Sequence, residues 1–188
     1  MAADILVING SPRAAGNSAR LASLCEEEFD RHRVSWEEVE LRRLTIAPCR
    51  ECGACAAGRA KYCAQKDDMV PLYEKILQCR TVLFVTPVFW FNYTAQLKTF
   101  IDRLYGLWKW DPDFMAGKRA AAVLVYADED LYASGGINAV SAFEHLFRFI
   151  RAECRGFAYG TAAEPGDADR NPGLLERTRT LARSLVEG

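Results

Sequence analysis

Four consecutive apolar residues, Ile5-Leu6-Val7-Ile8, run without alternation into Asn9-Gly10, the pattern of a strand buried on both faces. After a loop to Gly16, Asn17 or Ser18 can cap a helix whose apolar positions Leu21, Leu24, Cys25 and Phe29 recur at helical spacing, with Glu26 and Glu27 toward water. Val34, Trp36, Val39 and Leu41 predict a second strand, with a phase slip at Glu37-Glu38. Residues 42–66 hold four cysteines and little periodicity. A helix then opens at Asp67-Asp68, where acidic groups favour the positive end of its dipole, and buries Met69, Leu72, Tyr73 and Ile76. Pro71 is tolerated because it falls in the first turn.

Thr81 to Thr86 reads as a third strand, and Thr94 starts a helix with Leu97, Phe100, Ile101, Leu104 and Tyr105 on one face. Ala120 to Tyr126 is a fourth strand, Ile137 to Ile150 a helix, residues 154–161 a fifth strand, and Asn171-Pro172 the cap and first residue of a last helix. Five alternations of strand and helix predict an α/β fold: a five-stranded parallel sheet with helices on both faces and ligands beyond the carboxyl ends of the strands. No repeat, low-complexity tract or linker divides the chain, so residues 1–188 are expected to form one domain with a cysteine-rich insertion at about 42–66.

Composition narrows the function more than the fold. Twenty-four basic and 25 acidic side chains give a net charge of −1, and nothing in the bulk charge calls for nucleic acid or an anionic membrane; a small molecule is the expected partner. The longest apolar run, Val82 to Phe91, is about half the ~20 residues of a membrane span. The first residues carry Asp4 and no basic segment, so a cytoplasmic protein is expected. In a reducing compartment, clustered thiols point to metal or redox chemistry rather than disulfides.

Three loops should share the carboxyl edge. Gly10-Ser11-Pro12-Arg13-Ala14-Ala15-Gly16-Asn17-Ser18 places small residues, hydroxyls, an amide and one Arg where a helix N-terminus offers unpaired N–H groups, a site for one phosphate monoester or else a plain capped connection. It matches neither G-x-G-x-x-G nor the Lys-bearing phosphate loop. Thr86 to Thr94 sets four aromatics in five residues at a strand end, a surface for a flat ring or for a subunit contact. The third loop, Ala127 to Gly136, carries Asp128, Glu129 and Asp130, which are either solvated or, at Asp128, in contact with the same ligand.

Gly10-Ser11-Pro12-Arg13 with Gly16-Asn17-Ser18, the cysteine run, Asp67-Asp68-Met69, Thr86-Pro87-Val88-Phe89-Trp90 and Leu97 to Arg103 together resemble the flavodoxin-fold FMN reductases, and most closely their iron–sulfur flavoprotein branch, over about residues 4–160. The resemblance implies a flavodoxin-like three-layer sandwich with strand order 2-1-3-4-5. It implies that Ser11, Arg13, Gly16, Asn17 and Ser18 hold the FMN phosphate, and that Pro87, Val88, Phe89, Trp90, Phe91 and Asn92 lie along the isoalloxazine. Phe89 stands where the family often has Tyr. The implied activity is oxidation of NAD(P)H, or of ferredoxin through a cluster, with delivery to a quinone, free flavin or other small acceptor. The implied assembly is a homodimer or homotetramer, and Trp108, Trp110 and Phe114, read as a loop after the third helix, are candidate contacts. Lys98, Asp102 and Arg103 are expected on a solvated helix face or a subunit contact.

Cys49, Cys52, Cys55 and Cys63 have the spacing C-x2-C-x2-C-x7-C, which suits a [4Fe–4S] cluster, zinc, or thiols that bind nothing. A cluster there would also be what orders residues 42–66. Cys25, Cys79 and Cys154 are expected to be buried small hydrophobes. His32 and His145 form no triad, and no hydrolytic motif is present, which a cofactor enzyme does not require. A flavodoxin-like carrier and a zinc-stabilised binding module are the alternatives; the near-neutral charge speaks against the first.

Overall fold

The computed structural model describes residues 3–187. Its elements in order are β1 (Ile5–Asn9), α1 (Asn17–Arg31), β2 (Trp36–Glu40), α2 (Met69–Gln78), β3 (Thr81–Phe89), β4 (Asn92–Tyr93), α3 (Ala95–Trp110), β5 (Arg119–Tyr126), α4 (Gly136–Phe149), β6 (Glu153–Thr161) and α5 (Pro172–Val186). The sheet runs β2-β1-β3-β5-β6 with all these neighbours parallel, which is the flavodoxin-like order expected; β4 is an added two-residue antiparallel partner of β3. The middle strands are near-continuous apolar runs, Ile5 to Ile8 in β1 and Ala120 to Val125 in β5, as suits strands covered on both faces. One core packs Leu6, Ile8, Phe84 and Ala122 against α2, α3 and α4; the other packs Ile5, Val7, Val85 and Val123 against α1 and α5.

β3 extends past its expected end at Thr86, through Pro87, to Phe89. Pairing with β1 stops at Asn9 opposite Val85, while pairing with β5 continues to Pro87 opposite Val125. Pro87 therefore sits where the β1 side needs no further donor, and its missing N–H breaks nothing. α3 likewise continues through Trp108 and Trp110, so these are helical rather than in a loop, and Phe114 is buried. Cys25 and Cys79 are buried as expected, but Cys154 is exposed on the edge strand β6. His32 closes α1, and His145 Nδ1 pairs with the Ser141 carbonyl on α4.

Glu27 of α1 faces water as expected, but Glu26 does not, and Glu28, which the pattern did not place, is drawn inward as well. Glu28 is buried against α5, where Arg179 and Arg183 approach it together with Arg31 of its own helix. Glu26 is half-buried with an unpartnered Oε1. Burial, then the nearby charges of Glu38, Asp30 and Glu40, push its carboxyl up to about 7. The folded protein thus holds this proton more tightly than the unfolded chain, so its contribution is present below the ordinary carboxylate pKa and is lost as pH rises through about 7. Glu26→Gln is expected to raise Tm by about 2–4 °C at pH 8, for roughly 1 kcal/mol after allowance for solvent, and to change it little at pH 5. Thermal melts at the two pH values check this, and equal shifts would show that ionisation of Glu26 costs the folded protein nothing.

Candidate functional site

At the carboxyl edge, the loop between β1 and α1 is drawn tight by its own polar groups. Asn9 Oδ1 accepts from Ser11 N at 2.9 Å, and the Ser11 hydroxyl accepts from Arg13 N at 3.2 Å. Gly10 N donates to Val85 O, which ties the loop to β3. Thr94, the cap of α3, donates its hydroxyl to Gly10 O at 2.7 Å and accepts from Leu97 N. A Cβ at residue 10 would lie 2.9 Å from Leu97 Cβ, so only glycine admits this approach.

α1 begins at Gly16 with no side-chain cap, leaving the first N–H groups of its turn available to a ligand. They open into a cleft lined by Ser11, Arg13, Gly16, Asn17, Ser18, Pro87, Val88 and Phe89, eight of the residues expected there, together with Pro12, Val125, Tyr126, Ala127, Ala162, Ala163 and Pro165. Arg13 is the only charged side chain on this lining. The enclosed part measures ≈ 200 Å³, below the roughly 300–1,000 Å³ of most ligand pockets. It therefore suits the anionic end of a ligand whose remainder lies over the rim at half-exposed Phe89.

Asn17 is on the lining with its side chain engaged elsewhere, and Asp128, Trp90, Phe91 and Asn92 lie off it. Asn17 neither caps α1 nor offers its amide to the cleft: Nδ2 donates to Ala162 O and Glu164 O, and Oδ1 accepts from Ala168 N. Its side chain instead fastens the wall formed by residues 162–165, leaving its backbone N–H for a ligand. Asp128 is exposed and outside the lining; its carbonyl accepts from the Thr161 hydroxyl. Trp90, Phe91 and Asn92 are also off the lining, in the β3–β4 hairpin. Trp90 and Phe91 are its two turn residues, both at positive φ (45° and 65°), and Trp90 is 92% exposed. Such a turn usually takes Asn-Gly, so two bulky residues are strained here. The strain is held by docking: the Phe91 carbonyl accepts from Asn138 Nδ2, and a Cβ at Gly135 would fall 2.5 Å from Phe91 Cβ. Ala162, Ala163 and Pro165 were missed by sequence reasoning, and their signal was available: they follow the last strand, at the same carboxyl edge.

The cysteine segment forms a second site. Cys49, Cys52, Cys55 and Cys63 line one cavity of ≈ 670 Å³, with Asp102 and Tyr105 of α3 on its rim. Among the described residues no three His, Cys, Asp or Glu side chains converge on a single-ion position. Lys98 and Asp102 form an exposed ion pair at 2.6 Å, as a solvated helix face would. Arg103 does not lie on that face: it is 2% exposed and pairs with Asp67. Burial opposes its charge, but the Asp67 hydrogen bonds outweigh that and hold the guanidinium above its ordinary value. Burial would likewise raise Asp67, and the donors Arg103, Ala47 N and Met69 N leave it below the usual carboxylate range. α2 opens at Asp67-Asp68 as expected: Asp68 holds the N-cap position, its carboxylate accepting from Thr45 N, while Asp67 Oδ1 accepts from Met69 N at 3.2 Å.

The model of a family described as NADPH-dependent FMN reductase matches residues 3–157. A Bacillus subtilis protein named as an NAD(P)H-dependent FMN-containing oxidoreductase is 32% identical, over 96% of this chain and 97% of its own length. An iron-sulfur flavoprotein of Archaeoglobus fulgidus is 34% identical over 64% of this chain and 53% of its own length. Among solved structures, the NAD(P)H:quinone oxidoreductase of Methanothermobacter marburgensis superposes with a TM-score of 0.78 over 100% of this chain and 98% of that one at 16% identity, a likeness of fold.

The Gly135 notch has a direct check. Gly135→Ala adds a side chain at φ +66° against Phe91, and is expected to lower stability by about 2–4 kcal/mol through backbone strain and overpacking. Urea unfolding measures it, and an unchanged midpoint would mean that the hairpin is not held at this notch.

Proposed function

The chain belongs to the NADPH-dependent FMN reductase family, and on that premise we propose that its carboxyl-edge cleft seats FMN by the phosphate and passes electrons from NAD(P)H to a small acceptor. The observation that carries this is the pairing of the uncapped start of α1 with Arg13, the one charge on the cleft lining. Backbone N–H groups at a helix start and a guanidinium together suit a phosphate dianion. Ser11 and Ser18 add hydroxyls, and a single anion pocket without a dinucleotide fingerprint favours FMN over FAD.

Pro87, Val88 and Phe89 would floor the ring, and Ala162, Ala163 and Pro165 would wall it from water. FMN supplies the hydride and single-electron chemistry when bound, and the protein's part is to bind and orient it. With Phe89 in place of a tyrosine, the chain offers no hydroxyl at that position for moving a proton, so the floor acts by shape and apolarity. A quinone or a free flavin is the acceptor class we infer, because a flat apolar partner suits a rim with exposed Phe89 and Trp90.

The four thiols around one cavity would hold a [4Fe–4S] cluster, which would supply one-electron chemistry. Residues 42–66 carry Arg42, Arg43, Arg50, Arg59, Lys61 and Lys66 against one acidic residue, Glu51. This basic loop in a chain of net charge −1 supports an acidic ferredoxin as a second electron donor. Among the described residues no helix is long and apolar enough to cross a membrane, and a set of free thiols that would bind a cluster fits a reducing cytoplasm. Tyr105, Trp108 and Phe149, in contact across α3 and α4 and partly open to solvent, support a homodimer or homotetramer.

Arg13→Ala is expected to weaken FMN binding 10- to 100-fold, from loss of a charge-assisted hydrogen bond of about 1.5–3 kcal/mol. Quenching of flavin fluorescence on titration checks it, and an unchanged Kd would place the phosphate elsewhere. Anaerobic reconstitution is expected to give about four irons per chain, lost in Cys52→Ser; zinc alone would overturn the cluster. Light scattering at micromolar concentration is expected to show a dimer or tetramer mass, and a monomer mass would remove the assembly.

A further inference from the structure

The cysteine loop is joined at its base by hydrogen bonds between its two ends. Its two ends run side by side: Thr45 N donates to Asp68 Oδ2 at 2.7 Å, Asp68 N to Thr45 O at 3.3 Å, and Ala47 N to Asp67 Oδ2 at 3.0 Å. Within the loop, buried Gln65 donates from Nε2 to Pro48 O at 3.1 Å, across the same stem. Arg103 reaches in from α3 and joins both ends at once. Its Nη1 donates to Asp67 Oδ2 at 2.6 Å and to Ala47 O at 2.7 Å, and its Nη2 to Asp67 Oδ1 at 3.0 Å.

This arrangement requires a guanidinium. The planar fork can serve a carboxylate with two parallel bonds and a carbonyl with a third, which an ammonium at the end of a flexible stem cannot do in one geometry. α3 is fitted to the loop a turn further on, where a Cβ at Gly106 would lie 2.4 Å from Tyr62 O. Tyr62 is buried and packs on Tyr73, whose hydroxyl donates to Arg103 O at 3.1 Å. Cys63, next to Tyr62, accepts from Gln65 N at 3.5 Å and lies within electrostatic range of Arg103. An isolated buried charge is far costlier than a paired one, so neither Arg103 nor Asp67 is stable in place without its partner.

We propose that Arg103 and Asp67 are positioning residues that close the stem of the cysteine loop before any metal binds, so that the metal-free chain already presents its four thiols to one cavity. This order of events is the opposite of the expectation from sequence that ligation orders residues 42–66: the protein would order the loop, and the loop would then receive the metal. The cluster reading enters only in naming the ligand.

Hydrogen exchange on the reduced, chelator-treated, FMN-loaded chain tests the closure with no metal present. Thr45, Ala47 and Asp68 amides are expected to exchange within about 10-fold of their rates in the protein reconstituted with ferrous iron and sulfide. In Arg103→Met they should exchange on the order of 100-fold faster or more, while amides of β1, β3 and β5 keep their protection. Should that variant fail to fold, Arg103→Met/Asp67→Leu replaces the whole pair with apolar groups, which proteins commonly tolerate. It is expected to retain flavin absorbance and lose the stem protection. Half-reconstitution should need at least 10-fold more iron in the double variant, and Arg103→Lys, which keeps the charge without the fork, should recover part of that loss. Wild-type stem amides exchanging as in an unfolded chain until iron is added would overturn the proposal, as would unchanged exchange in both variants. A protected stem with no iron uptake would support the closure and remove the cluster reading.

Discussion

The carboxyl-edge cleft exists because the start of α3 can touch the loop after β1, and that contact depends on a residue with no side chain. Gly10 leaves room for Leu97 at a distance a Cβ would violate, and Thr94 uses the opening to donate to the Gly10 carbonyl. Gly10 N is held in turn by Val85 of β3. The two neighbouring strands thereby deliver their following loops to one place, and the N-termini of α1 and α3 converge on the same carboxyl edge. A parallel sheet makes such convergence available; the glycine makes it tight enough to shape a phosphate-sized hollow.

α3 serves both sites of the molecule. Thr94 caps it beside the carboxyl-edge cleft, and Arg103, nine residues on, bonds to both ends of the cysteine loop. At 1.5 Å per residue these contacts are roughly 14 Å apart along a single rigid helix. Any electron relay between the sites would thus have its geometry set by one secondary-structure element, and Asp102 and Tyr105 of the same helix stand on the rim of the thiol cavity. The buried ion pair is better understood as a device of position than of stability, since removing both charges together often costs a fold little.

Strain is concentrated beside the cleft. Trp90 and Phe91 occupy left-handed backbone that each would avoid at about 1–3 kcal/mol, and Gly135 with Asn138 holds Phe91 there. The result is an indole projecting into solvent next to Phe89 of the cleft lining. Local rules broken at one place and compensated from another element are expected where binding, rather than folding, set the choice of residue.

How much of this was legible in the chain depends on whether the information was local. Unbroken apolar runs such as Ile5 to Ile8, helical spacing from Leu21 to Phe29, and the Asn171-Pro172 helix start are properties of short windows, and they determined the α/β alternation, the strand order by family resemblance, and eight residues of the cleft. Tertiary structure alone decided which polar groups were already spent. Asn17 reads as a cap or phosphate ligand, yet its amide is consumed by residues 162–168, about 150 positions away. Arg103 reads as one more charge on a solvated helix, yet folding buries it against Asp67 and Ala47. Trp90 and Phe91 read as a stacking surface, yet the hairpin register turns them off the lining. A side chain's hydrogen-bond capacity and direction are settled by whatever the rest of the chain brings within about 3 Å, and no window of sequence contains that partner.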